Sequence, residues 1–168
     1  AGSGIGSAAI QIARLSGADV ITTVGSDEKR DKAMALGANY VINHSKEDFA
    51  DKVSEFTNGQ GVDLVFEHIG PETWEKSMLC LKRGGRIVTC GATSGPTVNF
   101  DLRFLFAKQL SISGCYMGSR SELLEIRKLM ESGRLKPVVD SVFPLKDAVA
   151  AQTKMLDRKQ FGKILLVP

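Results

Sequence analysis

Apolar and polar positions along this chain alternate in a way that predicts helices and strands in regular succession. Between Ile5 and Ala13 the apolar residues recur at i, i+3, i+4, i+7 and i+8, the spacing of a helix that packs on one face. Gly17 ends this helix, and the β-branched run at residues 19–24 predicts a buried strand. A helix is thus followed directly by a strand.

The same succession continues to the end of the chain. Ser26 is expected to cap a second helix that closes near Leu36, Pro71 suits a first helical position, and Ser119 with Glu122 forms a capping box. Further strands are predicted at 40–42, 62–66, 86–90, 110–116 and 163–167, and further helices at 46–56, 71–81, 102–108, 119–130 and 145–156.

Strands separated by helices at this rhythm imply right-handed crossovers and a parallel sheet covered on both faces. The predicted fold class is therefore α/β, a Rossmann-type doubly wound parallel sheet. No strand precedes the glycine-rich turn at Ala1–Ser7. We expect the first strand of the sheet to lie ahead of Ala1, in a longer protein.

Composition narrows the function classes. The chain has 168 residues, 43% of them hydrophobic and 24% charged, and its net charge of +3 is scattered without a basic stripe, which argues against nucleic-acid binding. No apolar run reaches the roughly 18 residues needed to cross a bilayer, so no membrane role is expected. Three well-separated cysteines and two histidines predict a reducing, cytoplasmic location with no disulfide framework and no metal site in the chain.

The glycine-rich turn runs straight into the first helix. Between a strand and a helix, such a turn lets backbone N–H groups approach a pyrophosphate, aided by the positive end of the helix. Gly2, Gly4 and Gly6 are out of register with the strict G-x-G-x-x-G fingerprint; if Gly6 is its last glycine, Ala1 and Ser3 occupy the earlier glycine positions. The alternative is a tight strand-to-helix turn that binds no ligand.

The end of the strand at residues 19–24 bears on the choice of cofactor. A carboxylate there would bind the adenosine ribose of NAD(H), whereas hydroxyl or basic groups accommodate the 2′-phosphate of NADP(H). The tip carries Gly25, Ser26 and, three residues on, Lys29, with no carboxylate at the tip itself, which favours NADP(H) over NAD(H). The alternative is that Ser26 only caps a helix and that Lys29 is only a solvated surface charge.

A short-chain dehydrogenase carries a similar glycine turn but needs a tyrosine four residues before a lysine. Tyr40 is followed at that spacing by His44, and Tyr116 by Arg120, so this class is excluded.

Several further motifs occur in order along the whole chain. They are Ala1–Ala13, Val24–Lys29, Leu36-Gly-Ala38, Val41-Ile-Asn43, Glu67-His-Ile-Gly70, Gly84–Gly91, Leu110–Gly114, Gly133–Pro137 and Phe161–Ile164. Together they resemble the medium-chain dehydrogenase/reductase superfamily, and most closely its zinc-type alcohol dehydrogenase and quinone oxidoreductase branches.

This resemblance implies a role for each matched position. Ser3, Gly4, Ile5 and Gly6 would meet the pyrophosphate, and Gly25, Ser26 and Lys29 would surround the adenosine ribose and its 2′-phosphate, flanked by His44. The ribose and nicotinamide would be lined by Ile69, Gly70, Cys90, Gly91 and Ala92, the carboxamide would meet the backbone of Cys115, Tyr116 and Met117, and Lys163 would return to the cofactor. The thiols of Cys90 and Cys115 are expected to be small apolar core groups, and His68 a structural histidine.

Members of the superfamily also carry an N-terminal catalytic domain, which holds zinc where zinc is present and most of the substrate pocket. The resemblance divides the chain into a dinucleotide-binding domain at 1–137 and a tail at 138–168 that would pack on that domain. No catalytic or metal-binding residue is assigned within the chain, which alone is expected to be inactive.

The implied activity is hydride transfer between nicotinamide and a small-molecule substrate, an alcohol, aldehyde, ketone, quinone or enone. An isolated dinucleotide-binding module or sensor without catalysis remains the alternative. Relatives pair the last strand of the sheet across a two-fold axis, so a homodimer through residues 110–116 is expected.

Overall fold

A computed structural model describes residues 1–168. The helices are α1 (Gly4–Leu15), α2 (Arg30–Ala35), α3 (Phe49–Phe56), α4 (Pro71–Leu79), α5 (Leu102–Ala107), α6 (Arg120–Glu131) and α7 (Ala148–Leu156). The strands are β1 (Ile21–Val24), β2 (Tyr40–Asn43), β3 (Val62–Glu67), β4 (Leu81–Thr89), β5 (Ser111–Gly114), β6 (Val139–Pro144) and β7 (Lys163–Val167). Short 3₁₀ helices at Asp27–Lys29 and Leu145–Asp147 lead into α2 and α7.

The chain forms two compact units. Unit one comprises Ala1–Glu47 and Ser119–Pro168, and unit two comprises Asp48–Gly118. No helix in the structure has both the length and the apolar character needed to cross a membrane.

Unit one contains two parallel strand pairs. β1 pairs with β2 in the register Ile21↔Tyr40, and β6 pairs with β7 in the register Val142↔Leu165. The buried core consists of Ile10, Val24, Ala33, Ala38, Val41 and Phe161. Phe161, from the C-terminal segment, is only 4% exposed, so that segment contributes directly to the core around α1 and β1.

Unit two contains a three-stranded parallel sheet in the order β3-β4-β5. Its ladder pairs Val65 with Ile87 and Ile87 with Ile112. Ile87 is fully buried and packs in a core with Trp74, Met78, Leu81 and Leu110. At about 25 cal/mol per Å² of apolar surface removed from water, such clusters supply most of the stability of a small α/β unit.

The predicted fold class is confirmed, because every strand pair is parallel and helices intervene between the strands. The strands form three separate sheets rather than one continuous sheet: β1 with β2, β3 with β4 and β5, and β6 with β7.

Local differences from the prediction have local causes. α3 begins at Phe49 rather than at residue 46, because the Asp48 carboxylate caps it by accepting from Ala50 N. Residues 139–144 form a strand that is not among the predicted strands. Ser26 occupies the N-cap position of the first 3₁₀ helix, but its side chain makes no capping hydrogen bond. The prediction of a capping serine is therefore wrong there.

Candidate functional site

The first candidate region lies in unit one, at the N-terminus of α1. Ser3 Oγ accepts from Gly6 N at 3.0 Å, which leaves the N–H groups of Gly4 and Ile5 among the first-turn donors that no preceding helical carbonyl can satisfy. Helix α1 has no acidic residue in its first turn, so its positive end is not neutralised by its own side chains. This arrangement suits an anion such as a pyrophosphate.

Two lysines flank the loop. A Cβ added at Gly4 would overlap the alkyl chain of Lys163, so the terminal strand brings this lysine against the loop. Lys29 lies beside Gly2, its Nζ 3.7 Å from where a Cβ on Gly2 would stand. The predicted loop residues and both predicted lysines are therefore close together within unit one.

The tip of β1 adds the remaining predicted residues of this half. His44 Nε2 lies 3.6 Å from the position of a Cβ on Gly25, and Ser45 Oγ donates to Gly25 O at 2.9 Å. Ser26 follows with extended backbone, and its hydroxyl is not used as a helix cap. Ser26 thus occupies an N-cap position without a capping hydrogen bond from its side chain.

The first carboxylate after the tip is neutralised. Asp27 accepts from Asn43 Nδ2 at 2.7 Å and from Lys46 Nζ at 2.6 Å. The hydrogen bond from Lys46, followed by that from Asn43, holds the pKa of the Asp27 carboxyl below its usual range. The first carboxylate after the β1 tip is therefore paired rather than free.

Sequence reasoning missed Arg158. Lys29 Nζ donates to the carbonyl oxygen of Arg158 at 2.5 Å, although 129 positions separate the two residues. The Arg158 charge also acts on His44. The sequence signal is a basic pair, Arg158-Lys159, ahead of the terminal strand, but only the tertiary fold brings it to the β1 tip.

Both histidines have pKa values below the ordinary one. Burial, together with the positive charge of Arg158, lowers the pKa of His44 from 6.5. Burial also lowers the pKa of His68 and outweighs the opposing effect of the Glu67 carboxylate. At neutral pH both imidazoles are therefore uncharged.

These shifts predict how ligand-free stability depends on pH. A histidine whose folded pKa is depressed takes up protons more readily in the unfolded chain, so its contribution is complete above pH 6.5 and is lost as the pH falls below that value. We expect the thermal unfolding midpoint to fall by about 2 °C between pH 7.5 and 5.5. His44→Gln with His68→Gln should flatten this decline. An unchanged decline in the double variant would assign it to other groups.

The second candidate region lies in unit two, where three parallel strands end. Ile69 and Gly70 follow β3, Cys90, Gly91 and Ala92 follow β4, and Cys115, Tyr116 and Met117 follow β5. Because the strands are parallel, these segments share the carboxyl edge of the sheet, where ligands bind in open α/β sheets. A cavity of about 390 Å³ opens there, lined by Gly70, Trp74, Thr89, Cys90, Gly91, Ala92, Gly95, Pro96, Val98, Cys115 and Tyr116.

Most of the predicted residues of this half line the cavity. Ile69 and Met117 are not among the lining residues; Ile69 is tied back to β3, and Met117 is 84% exposed with a φ of 56°. Trp74 and the Gly95–Pro96 turn line it although no motif indicated them. The sequence did not indicate them, because a buried tryptophan and a loop proline usually have a structural role only.

Glu67, at the end of β3, organises this edge although it is only 4% exposed. Its Oε1 accepts from Ile69 N at 2.6 Å and from Gly70 N at 3.3 Å, and its Oε2 accepts from Thr73 Oγ1 at 2.9 Å and from Ser77 Oγ at 2.7 Å. The carboxylate thereby fixes the turn that leads into α4. Gly70, with a φ of 99°, sits where a Cβ would stand 3.0 Å from Gly95 O.

The cysteines differ from the expectation. Cys80 is buried, but Cys90 is only partly buried and Cys115 is exposed, so Cys115 is not a core residue. The reason is that Cys115 lies just beyond β5, a strand whose residues are all exposed.

Zinc does not fit the residues of this chain. No group of three or more His, Cys, Asp or Glu side chains is placed to hold a metal ion. We therefore assign no metal chemistry to it.

Parallel strands with a glycine-rich turn at a helix N-terminus define the class of Rossmann-like nucleotide-binding folds. Comparison with known proteins adds the family. Residues 4–132 match the family model described as zinc-binding dehydrogenase, and the chain belongs to that family.

Among curated proteins, the chain is 37% identical over 182 residues to 2-haloacrylate reductase of a Burkholderia species, covering 100% of this chain and 54% of the relative. It is 37% identical over 180 residues to quinone oxidoreductase of Salmonella typhimurium, covering 100% and 55%. The chain thus spans about half the length of these relatives.

Solved structures that resemble this chain are also dehydrogenases and oxidoreductases. The chain matches an NAD-dependent alcohol dehydrogenase at 42% identity and a TM-score of 0.92, covering 100% of this chain and 49% of that one. It matches the Escherichia coli quinone oxidoreductase complexed with NADPH at 35% identity and a TM-score of 0.87, covering 99% and 55%. The resemblance to the medium-chain superfamily is confirmed.

Proposed function

We propose that this chain is the NADP(H)-binding part of an oxidoreductase that transfers a hydride between nicotinamide and a small-molecule substrate. The observation that carries the proposal is the cluster in unit one, where Lys29, Lys163 and His44 surround the glycine loop and the β1 tip. Such a cluster gives an anion both backbone donors and mobile positive charge.

The adenosine half of the cofactor is assigned to unit one. The pyrophosphate meets the loop at residues 3–6, where the N–H groups of Gly4 and Ile5 can donate, and Lys163 lies against the same loop. The ribose 2′-phosphate meets Ser26 and Lys29, with His44 and Arg158 adjacent. Pairing of Asp27 with Lys46 supports NADP(H) over NAD(H), because the Lys46 ammonium offsets the charge of the first carboxylate after the β1 tip.

The nicotinamide half is assigned to unit two. Its cavity is bounded by backbone from three strand ends, including Gly70, Gly91 and Tyr116. Such a cavity suits the flat nicotinamide ring, which is bound mainly through its shape and its amide group. The dinucleotide supplies the hydride at nicotinamide C4, and the residues of this chain bind and orient it.

The substrate class is narrowed by two relatives whose names specify a quinone and a haloacrylate. Both are electron-poor conjugated acceptors, so we propose a quinone or an enone as substrate; the similarity to an alcohol dehydrogenase keeps an alcohol, aldehyde or ketone as the second candidate. Because the chain spans about half the length of these relatives, we propose that catalytic groups and most of the substrate pocket lie outside it. This chain alone is expected to show no turnover.

We also propose two protein contacts. β5 pairs only with β4 and its residues are exposed, which supports a homodimer through this edge, testable by sedimentation. The 138–168 segment exposes Val142, Leu145, Val149 and Leu156, which supports its packing on the further domain.

Thermal unfolding with added dinucleotide tests the proposal. A ligand at about 100 times its Kd stabilises a native protein by about 2.7 kcal/mol, which for this size raises the midpoint by at least about 5 °C. We expect NADPH to give this shift and NADH, at the same concentration, a clearly smaller one. Equal shifts would contradict the assignment of the 2′-phosphate site, and no shift with either would contradict dinucleotide binding.

A further inference from the structure

Two cysteines stand side by side at the carboxyl edge of the unit-two sheet. The β4–β5 ladder pairs Thr89 with Gly114, and the next residue on each strand is a cysteine. Cys115 N donates to Thr89 O at 2.9 Å, so the parallel pairing continues up to this level. Neighbouring strands lie about 4.8 Å apart, within the separation of about 4.4–6.8 Å between the Cα atoms of disulfide-bonded residues.

The side chains share one environment as well as one register. Both cysteines line the same cavity, which is open to solvent, and Cys115 is exposed while Cys90 is partly buried. Burial and the neighbouring Cys115 raise the pKa of the Cys90 thiol. Cys80 provides the contrast, because it is buried, lies outside this cavity and has its pKa raised to about 11, first of all by burial.

We propose that Cys90 and Cys115 form a reversible redox site, a dithiol that hydrogen peroxide converts to an intramolecular disulfide. The sulfur of Cys115 attacks hydrogen peroxide, an S–O bond forms, the O–O bond breaks, and the departing hydroxide takes the Cys115 proton and leaves as water. The sulfur of Cys90 then attacks the sulfur of this sulfenic acid, the S–S bond forms, the S–O bond breaks, and the departing hydroxide takes the Cys90 proton and leaves as a second water. Two thiols are oxidised, one peroxide is reduced, and a dithiol reductant reverses the change.

The position of the site gives the modification a consequence, which rests on the proposed function. The same backbone that carries the thiols, Cys90–Ala92 and Cys115–Met117, is assigned to the nicotinamide. A disulfide across the mouth of the cavity ties β4 to β5 and places two bonded sulfur atoms where the ring would enter. Oxidation is therefore expected to weaken dinucleotide binding by about tenfold or more, and bound dinucleotide to protect the thiols.

The test is a thiol count on the purified chain before and after hydrogen peroxide, with intact mass and peptide mapping. The reduced chain has three thiols. After oxidation one should remain in the denatured protein, the mass should fall by about 2 Da, and a peptide pair should link residues 90 and 115. Cys80→Ala should still form the disulfide, whereas Cys90→Ser should instead leave a Cys115 sulfenic acid that dimedone traps.

Three outcomes would overturn the proposal: three thiols that persist, independent sulfinic acids at the two positions, or disulfides only between molecules on a non-reducing gel. Dinucleotide affinity of the oxidised and reduced forms is then measured by titration. Equal affinity would overturn the inferred consequence. Absence of binding in the reduced form would overturn the proposed function while leaving the disulfide established by the thiol count.

Discussion

Replacing Glu67 by leucine is expected to lower the free energy of unfolding by about 4 kcal/mol. The substitution removes the acceptor for two backbone N–H groups and two hydroxyls at a position that is only 4% exposed. Leaving a buried donor unpaired costs about 1–3 kcal/mol, and the hydroxyls of Thr73 and Ser77 recover part of this cost by rotating. The N–H groups of Ile69 and Gly70 cannot rotate.

Urea unfolding of the leucine variant measures this loss, and Glu67→Gln is the matched control. Glutamine keeps an acceptor for the two N–H groups, and its amide can donate to the hydroxyls, so its cost should stay near 1 kcal/mol. We also expect the leucine variant to bind the dinucleotide more weakly under conditions where it is still folded, because Gly70, whose N–H the carboxylate holds, lines the unit-two cavity. A leucine variant as stable as the wild type would show that the hydrogen bonds accepted by Glu67 contribute little to stability.

Glu67 also illustrates what the sequence could and could not predict. The motif Glu67-His-Ile-Gly70 marked the strand end, and Pro71 marked the start of α4, because both signals are local. The hydrogen bonds from Thr73 and Ser77 to the Glu67 carboxylate require both side chains to face β3. That orientation follows from how α4 packs on the sheet. Local patterns do not contain that orientation.

Where a signal is complete within a few residues, the prediction was accurate. The capping box of Ser119 and Glu122 is present in full, with both reciprocal hydrogen bonds. The prediction was not accurate at Ser26. Serine is a residue type that often caps helices, but here the chain enters a 3₁₀ helix and the Ser26 side chain makes no capping hydrogen bond.

Long-range juxtapositions were the least predictable part of the candidate site. The β1 tip and Lys29 could be assigned from their distance after the glycine loop, but Arg158 reaches them only through the β7 connection. The cysteine pair has the same origin. Twenty-five positions separate Cys90 from Cys115, and only the register of β4 with β5 makes them neighbours.

Reversal of the charge at Lys29 is expected to have the second large effect, a loss of NADPH affinity. Lys29→Glu replaces an ammonium that lies beside the glycine loop with a carboxylate, which would repel a 2′-phosphate at the β1 tip. We expect NADPH affinity to fall by about thirtyfold or more, because attraction between two groups a few Å apart is exchanged for repulsion. NADH has no 2′-phosphate, so its affinity should change by less than about threefold.

Lys32→Glu is the matched control, because it makes the same change in net charge one helical turn further along. Lys32 Nζ lies 5.9 Å from the centre of the Phe161 ring and belongs to no part of the candidate site. If a general loss of positive charge weakened NADPH binding, both variants would show it, and the loss would disappear at high salt. A loss confined to Lys29→Glu, with NADH binding retained, places the phosphate at the β1 tip; equal losses in both variants would remove Lys29 from the site.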